Sequence, residues 1–93
     1  MHAVVTHVTI QEGRADDAVA LLDQVIIPAA ESAHGFVSGV WSHSLEGKGV
    51  GVIVFETEDD ARKFAAESQA APVPDDSPVQ IDAVGVNTVA RTA

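Results

Sequence analysis

The sequence contains no cysteine and no tyrosine, and it has a single tryptophan. Without cysteine the chain forms no disulfide bonds, which fits a reducing compartment such as the cytoplasm. The N-terminal segment lacks the basic region and the continuous apolar core of a signal peptide. No apolar run approaches the ~20 residues that a membrane-spanning helix needs. We therefore expect a soluble, cytoplasmic protein.

Basic residues are also scarce. Five Lys and Arg stand against fourteen Asp and Glu, which gives a net charge of −9. Phosphate backbones and anionic lipid surfaces bind clustered Lys and Arg side chains, but the one adjacent basic pair here is Arg62-Lys63. The composition therefore argues against nucleic acids and membranes as partners.

Apolar residues, by contrast, are plentiful and make up 46% of the 93 positions. A chain of this length forms one domain, residues 1–93, and a domain this small often needs disulfides, a metal or a partner subunit for stability. Because disulfides are excluded, we expect part of the apolar surface to be buried in a homodimer.

The first half of the chain shows the pattern of a β-strand and then that of an α-helix. Residues 3–10 are rich in β-branched side chains and predict a strand. From Ala15 the apolar spacing changes to three and four, with a stripe that runs through Ala18, Val25 and Ala29 and predicts a helix. Pro28 falls inside this pattern and is expected to kink or end the helix.

The second half predicts a β-hairpin, a helix and a final strand. The hairpin strands are Phe36 to Leu45 and Val50 to Phe55, and Thr57 is suited to cap the next helix. Residues 71–78 contain three prolines and predict a loop, after which Val79 to Val89 alternates as a strand.

The resulting order βαββαβ predicts an α+β, ferredoxin-like fold: a four-stranded antiparallel sheet with both helices on one face. The other face is expected to carry Val5 or Val4, Ile53 or Val52, and Val84 with Val86. A face this apolar is too hydrophobic for water, so it is where a second subunit is expected to pack.

The chain resembles the dimeric α/β-barrel superfamily, which includes proteins of the antibiotic-biosynthesis-monooxygenase type. The resemblance covers essentially the whole chain and is carried by three segments: EGRADDAVALL, AHGFVSGVW and VIVFETEDDARKFA. It implies that two sheets pair as halves of a barrel and that each subunit keeps a small apolar cavity. It leaves the activity open, because the superfamily includes monooxygenases, haem-degrading enzymes, isomerases and proteins without a known activity.

The chain departs from the superfamily pattern at two places that bear on which of these activities we expect. The haem-degrading branch uses a histidine on the second helix as iron ligand, and the corresponding segment DDARKFAAESQA has none. We therefore expect no cofactor. The quinone-forming monooxygenases place an Asn, a Trp and a Tyr or Arg around the substrate. That pattern points to Trp41 and Asn87 as substrate-binding residues, although the chain has no tyrosine.

Two histidines are the candidate catalytic residues. His7 shares a strand face with Val5 and Thr9 and could act as a general base on a phenol, or could be a structural histidine. His43 shares a face with Trp41, so the pair could bind a planar ligand by stacking and proton transfer. Alternatively, Trp41 packs across the dimer interface, where aromatic residues are enriched.

No metal site is expected. Glu31 and His34 are three apart and could contribute two ligands, but no supporting cluster accompanies them, so we interpret them as a solvent-exposed helix end. Two functions remain open. One is a cofactor-independent monooxygenase-like enzyme that acts on a small aromatic or phenolic substrate. The other is a non-catalytic homodimer that binds a small apolar metabolite or a protein partner.

Overall fold

The computed structural model describes all 93 residues and has an α+β architecture. Its elements are β1 (His2–Ile10), α1 (Ala15–Leu21), α2 (Ile27–Ser32), β2 (Phe36–His43), β3 (Lys48–Phe55), α3 (Glu58–Ala70) and β4 (Val79–Thr88). The strands form one antiparallel sheet in the order β2-β3-β1-β4. The predicted element order is confirmed, and the topology is consistent with a ferredoxin-like fold. None of the helices has the length and apolar character needed to cross a membrane.

The first helix is continuous through Pro28 because a π-helical turn, Leu22–Ile26, joins α1 to α2. Pro28 follows this π turn directly, in the first turn of α2, so the helix does not end at this residue. The wider turn changes which residues face the sheet. Ala30 is fully buried, whereas Val25 is exposed. The predicted stripe through Val25 and Ala29 is therefore wrong, since a uniform helical period does not hold across a π turn.

Helix α3 begins as the sequence predicts. The hydroxyl oxygen of Thr57 accepts a hydrogen bond from the backbone N–H of Asp60 at 3.1 Å, which satisfies one free donor of the first turn. Ala61 and Ala65 face the sheet and are buried. The small side chains let the helix lie close to the strands.

The core lies between the helices and one face of the sheet. Its largest fully buried side chains are Phe55, Ile53 and Val4, and Phe64 from α3 packs on Phe55 with ring centroids 5.2 Å apart. This core is thin: only 11 of the 93 residues are buried. A thin core leaves much of the 46% apolar composition at the surface.

Strand β4 does not alternate uniformly over its length. The pairing with β1 shifts between His7 and Val8, where Asp82 is an extra residue on β4. This β-bulge lets Ile81 on one side of it and Val84 on the other both face the helices. Val84 and Val86 pack against the core, so the expectation that they lie on the bare face is wrong.

Candidate functional site

The four predicted site residues lie on opposite faces of the sheet. Residues paired directly across antiparallel strands point to the same face. Trp41 and His43 pair with two glycines of β3, on the face that the helices cover. His7 and Asn87 pair with residues whose side chains point to the other, open face. The predicted grouping of Trp41 with His43 is confirmed, but the four residues do not form one site within a subunit.

The indole of Trp41 lies against the backbone of two glycines. A Cβ atom at Gly39 would stand 2.5 Å from Cη2 of Trp41, and one at Gly51 would stand 2.9 Å from Cδ1. The ring thus fills the space that these glycines leave, and it packs against the buried core. The ring leaves no room for a ligand between itself and Gly39. Trp41 also does not belong to the bare face on which a second subunit was expected.

His43 is exposed at the end of β2. Its Nδ1 lies 3.4 Å from the carbonyl oxygen of Ser44, and no side chain hydrogen-bonds to the ring. A catalytic histidine is usually held in one orientation by such a partner. No side chain of the same subunit therefore fixes the orientation of the His43 ring.

The open face of the sheet has a regular arrangement in four rows: three run from β2 across β3 and β1 to β4, and the fourth runs from β3 across β1 to β4. The first row is Ser38, Val54, Ala3 and Asn87; the second is Val40, Val52, Val5 and Gly85; the third is Ser42, Val50, His7 and Ala83; the fourth is Lys48, Thr9 and Gln80, next to the bulge residue Asp82. The second row is entirely apolar, and the fourth is entirely polar.

The two halves of this face differ in composition, because four of the six residues that β2 and β3 place in the first three rows are valines. Valines on β2 and β3 form a ridge, the valine ridge: Val40, Val50, Val52 and Val54. Beside it, β1 and β4 contribute Val5, His7, Ala83, Gly85 and Asn87, a set we call the trough. A Cβ atom at Gly85 would meet no atom within 4 Å, so the trough is shallow and open. His7 and Asn87 mark its two ends, about 13 Å apart along the strands.

A charged network closes one end of the trough. Lys48 Nζ donates to the hydroxyl of Thr9 at 2.9 Å, and that hydroxyl donates to the carboxylate of Asp82 at 2.6 Å. The Thr9 hydroxyl is therefore fully engaged. The positive charge of Lys48 and the negative charge of Asp82 offset each other across three strands. The fourth row is therefore polar but carries little net charge, and the apolar area ends there.

Two surface clefts lie away from all four predicted residues. One, of about 730 Å³, lies between the C-terminal end of α3, the loop 71–78 and β4, and its carboxylates are Asp75 and Asp82. The other, of about 290 Å³, lies between the ends of α2 and α3 and includes Lys63 and Glu67. Both clefts are open to solvent and have mixed polar and apolar linings, which makes them unlike the small apolar cavity that the resemblance implies.

One side-chain cluster was missed by the sequence reasoning. His34 follows the end of α2, and its Nδ1 lies 2.9 Å from Oδ1 of Asp60 in the first turn of α3. Because a carboxylate only accepts, the ring nitrogen is the donor. The hydroxyl of Thr57 also donates to Asp60, at 2.8 Å. These hydrogen bonds, that of His34 foremost, hold the pKa of Asp60 below its ordinary value.

The cluster is packed against Gly35. Gly35 has a φ of +80°, and a side chain there would overlap the carboxylate of Asp60. His34 itself is 88% exposed, whereas the Asp60 side chain is only 16% exposed. The pair thus joins the loop before β2 to the start of α3. The only local signal was Thr57 three residues before Asp60; the contact with His34 spans 26 residues of sequence.

The interpretation of Glu31 and His34 as two helical metal ligands is wrong, because α2 ends at Ser32 and His34 pairs with Asp60. No three His, Asp or Glu side chains are close enough together to hold a metal ion. The geometry thus offers one extended candidate surface, the open face. Comparisons with protein-family models and with curated proteins found no match.

Proposed function

We propose that the protein functions as a homodimer, a small dimeric α/β barrel in which the open faces of two sheets pack together. The single observation that carries the proposal is the open face itself. Its second row is entirely apolar, and the valine ridge crosses this row at Val40 and Val52, with Val40 66% exposed. Water contact with such a surface is unfavourable by about 25 cal/mol per Å² of apolar area, so covering it stabilises the assembly.

The thin core supports the same proposal. A domain of 93 residues with 11 buried positions gains little from its own interior. A twofold dimer places identical patches against each other, and the apolar rows of this face are self-complementary in character. The charged fourth row would lie at the rim, where ion pairs remain hydrated.

We further propose that the dimer binds a small apolar or aromatic ligand in the trough. Gly85 and Ala83 leave this strip lower than the valine ridge, so two opposed faces would enclose a cavity beside His7 and Asn87. Ligand pockets of this kind are mostly apolar with a few polar groups that fix orientation. Here the polar groups are an imidazole at one end and an amide at the other.

A second candidate is catalysis on a phenolic substrate, and the position of His7 in this strip favours it. His7 would accept the phenolic proton, and the phenolate would supply electrons to dioxygen. One oxygen atom would enter the ring and the other would leave as water, so that a phenol becomes a quinone. This cofactor-independent monooxygenase reaction needs a dry pocket and one base, and no metal.

The dimer is tested by the sedimentation of two variants with the same added charge. Val40→Asp places a carboxylate on the open face, whereas Val73→Asp places one in the loop 71–78, where Val73 is 59% exposed. We expect the wild type and Val73→Asp to be dimers at micromolar concentration and Val40→Asp to dissociate at least about tenfold more readily, because the charge would be desolvated. A wild type that stays monomeric at high micromolar concentration would refute the proposal.

Ligand binding and catalysis are separated by a second experiment. Equilibrium dialysis with 1-naphthol measures binding, and an oxygen electrode measures turnover, for the wild type, His7→Ala and the control His43→Ala on the opposite face. Oxygen uptake that requires His7 but not His43 supports the enzyme. Binding without oxygen uptake by any variant supports the non-catalytic dimer.

A further inference from the structure

His7 is the only ionisable side chain in the first three rows of the open face. The other members of those rows are valines, small apolar residues, serines and Asn87. The nearest charged groups are Lys48 and Asp82 of the fourth row, which are linked through the hydroxyl of Thr9. His7 is thus the one residue of these three rows whose side chain can carry a charge.

The surroundings of His7 suit an uncharged imidazole. Val50 of β3 and Ala83 of β4 lie directly opposite it, and Val5 and Thr9 flank it along β1. Val50 separates it from Ser42 of β2. The helices pack on the other face, so they bring no charged group near it. In the isolated subunit the ring is exposed, so water solvates either charge state.

We propose that protonation of His7 dissociates the homodimer, so that assembly is controlled by pH. This inference rests on the proposed function, since it requires the open faces to pack together. Covering His7 with a second copy removes water from the ring. An imidazolium would then be desolvated without a free carboxylate beside it, which is unfavourable by several kcal/mol in general.

The direction and size of the effect follow from linkage. Histidine side chains ordinarily gain a proton as the pH falls below about 6.5, so the dimer is favoured above this pH and lost below it. Each dimer buries two copies of His7. If only the uncharged form enters the interface, the dissociation constant rises on the order of 100-fold between about pH 8 and about pH 5.5.

Through the overall charge of the protein, acidification has the opposite effect on the dimer. Acidification lowers the magnitude of the −9 net charge, which weakens the repulsion between subunits and favours association. A dimer that weakens on acidification therefore identifies a specific buried proton site. Asp82 of a second copy is the one carboxylate whose position on the same face could offset a charged His7.

The experiment is sedimentation velocity at about pH 8 and about pH 5.5, on the two sides of ordinary histidine titration. The proteins are the wild type, His7→Gln, the control His43→Gln and Asp82→Asn. We expect the wild type and His43→Gln to dissociate at the lower pH, and His7→Gln, which cannot be charged, to remain dimeric at both. His7→Asn serves as a second neutral variant.

The outcomes separate this inference from the function on which it rests. A wild type that is monomeric at both pH values refutes the dimer itself. A wild type that is dimeric at both pH values, with an equal or lower dissociation constant in acid, refutes control by His7 and leaves the dimer intact. In that second case, acid dissociation that appears only in Asp82→Asn would identify Asp82 as the compensating charge.

Discussion

At the residue scale, the contact between Trp41 and two glycines explains why β2 and β3 carry so many small residues. An indole that lies flat on a sheet needs neighbours without a Cβ atom. Gly39 and Gly51 provide this, and the ring in turn covers backbone that a glycine leaves exposed. The sole tryptophan is therefore a structural residue of the β2–β3 pair.

This contact predicts an asymmetry between two Gly→Ala substitutions. A methyl group at Gly51 would stand 2.6 Å from Oγ1 of Thr6 and 2.9 Å from Trp41, so we expect Gly51→Ala to lower the free energy of unfolding. The expected loss is about 1–3 kcal/mol, typical of overpacking. The control Gly85→Ala should be neutral or slightly stabilising, because nothing lies within 4 Å.

Urea unfolding followed by circular dichroism measures both variants, and the emission of Trp41 reports the position of the ring. We expect the emission of Gly51→Ala to move to longer wavelength as the indole becomes more exposed. Equal stability of the two variants, with unchanged emission, would show that the ring tolerates a side chain beneath it.

At the element scale, the pairing of His34 with Asp60 links stability to pH. Hydrogen bonds from His34 and Thr57 lower the pKa of the Asp60 carboxyl in the folded state. The ionised carboxylate therefore contributes stability above its unfolded pKa, ordinarily about 3.9, and this stability is lost as the pH falls through the folded value.

We expect Asp60→Asn to flatten this acid dependence. Between about pH 5 and about pH 2, the wild type should lose more of its free energy of unfolding than the variant, since only the wild type must protonate this carboxylate. Urea midpoints across that range measure the difference. Asp59→Asn, at the next position of the same exposed turn, is the matched control. Parallel acid profiles for Asp60→Asn and the wild type would contradict the prediction.

For whole elements, the periodicity of the sequence predicts their type and order, but it does not always predict which residues face the core. Strand and helix periods predicted the order of elements, and the residue type of Thr57 predicted the cap of α3. They assigned Val25 and Val84 to the wrong faces, because one extra residue in each element shifts the phase. A π turn and a β-bulge both depend on tertiary packing, which a fixed period does not contain.

At the candidate site, too, the sequence predicted local features but not contacts between distant residues. The shared face of His7, Val5 and Thr9 could be predicted, since alternation holds over a short run. The pairing of His34 with Asp60 could not, because it joins a loop to the first turn of a helix 26 residues away in sequence, through a turn that Gly35 permits. Contacts of this kind depend on the path of the backbone and leave no periodic trace.

At the scale of the whole molecule, net charge opposes the dimerisation that we propose for the open face. Each subunit carries a net charge of −9, so two subunits repel each other at long range. Salt screens this repulsion, with a Debye length that falls from about 30 Å at 0.01 M to about 3 Å at 1 M. Apolar burial between the faces does not depend on that screening.

We therefore expect dimerisation to strengthen as sodium chloride is added at about pH 8, where histidine side chains are ordinarily uncharged. Sedimentation equilibrium at low and high salt measures the change in dissociation constant. A dimer that weakens with salt would show that ion pairs across the interface, such as Lys48 with Asp82 of the partner copy, outweigh the net repulsion.

The central position of β1 has a consequence for how the protein is made. The first strand of the chain pairs with β3 on one side and with β4, residues 79–88, on the other. During synthesis β1 can pair with the hairpin early, but its other edge stays bare until β4 has left the ribosome. At about 5–20 residues per second that interval lasts seconds, during which an unpaired edge is open to other chains. Slow decoding between residues 56 and 79 would lengthen this exposure, so synonymous codons there are expected to affect the yield of folded protein.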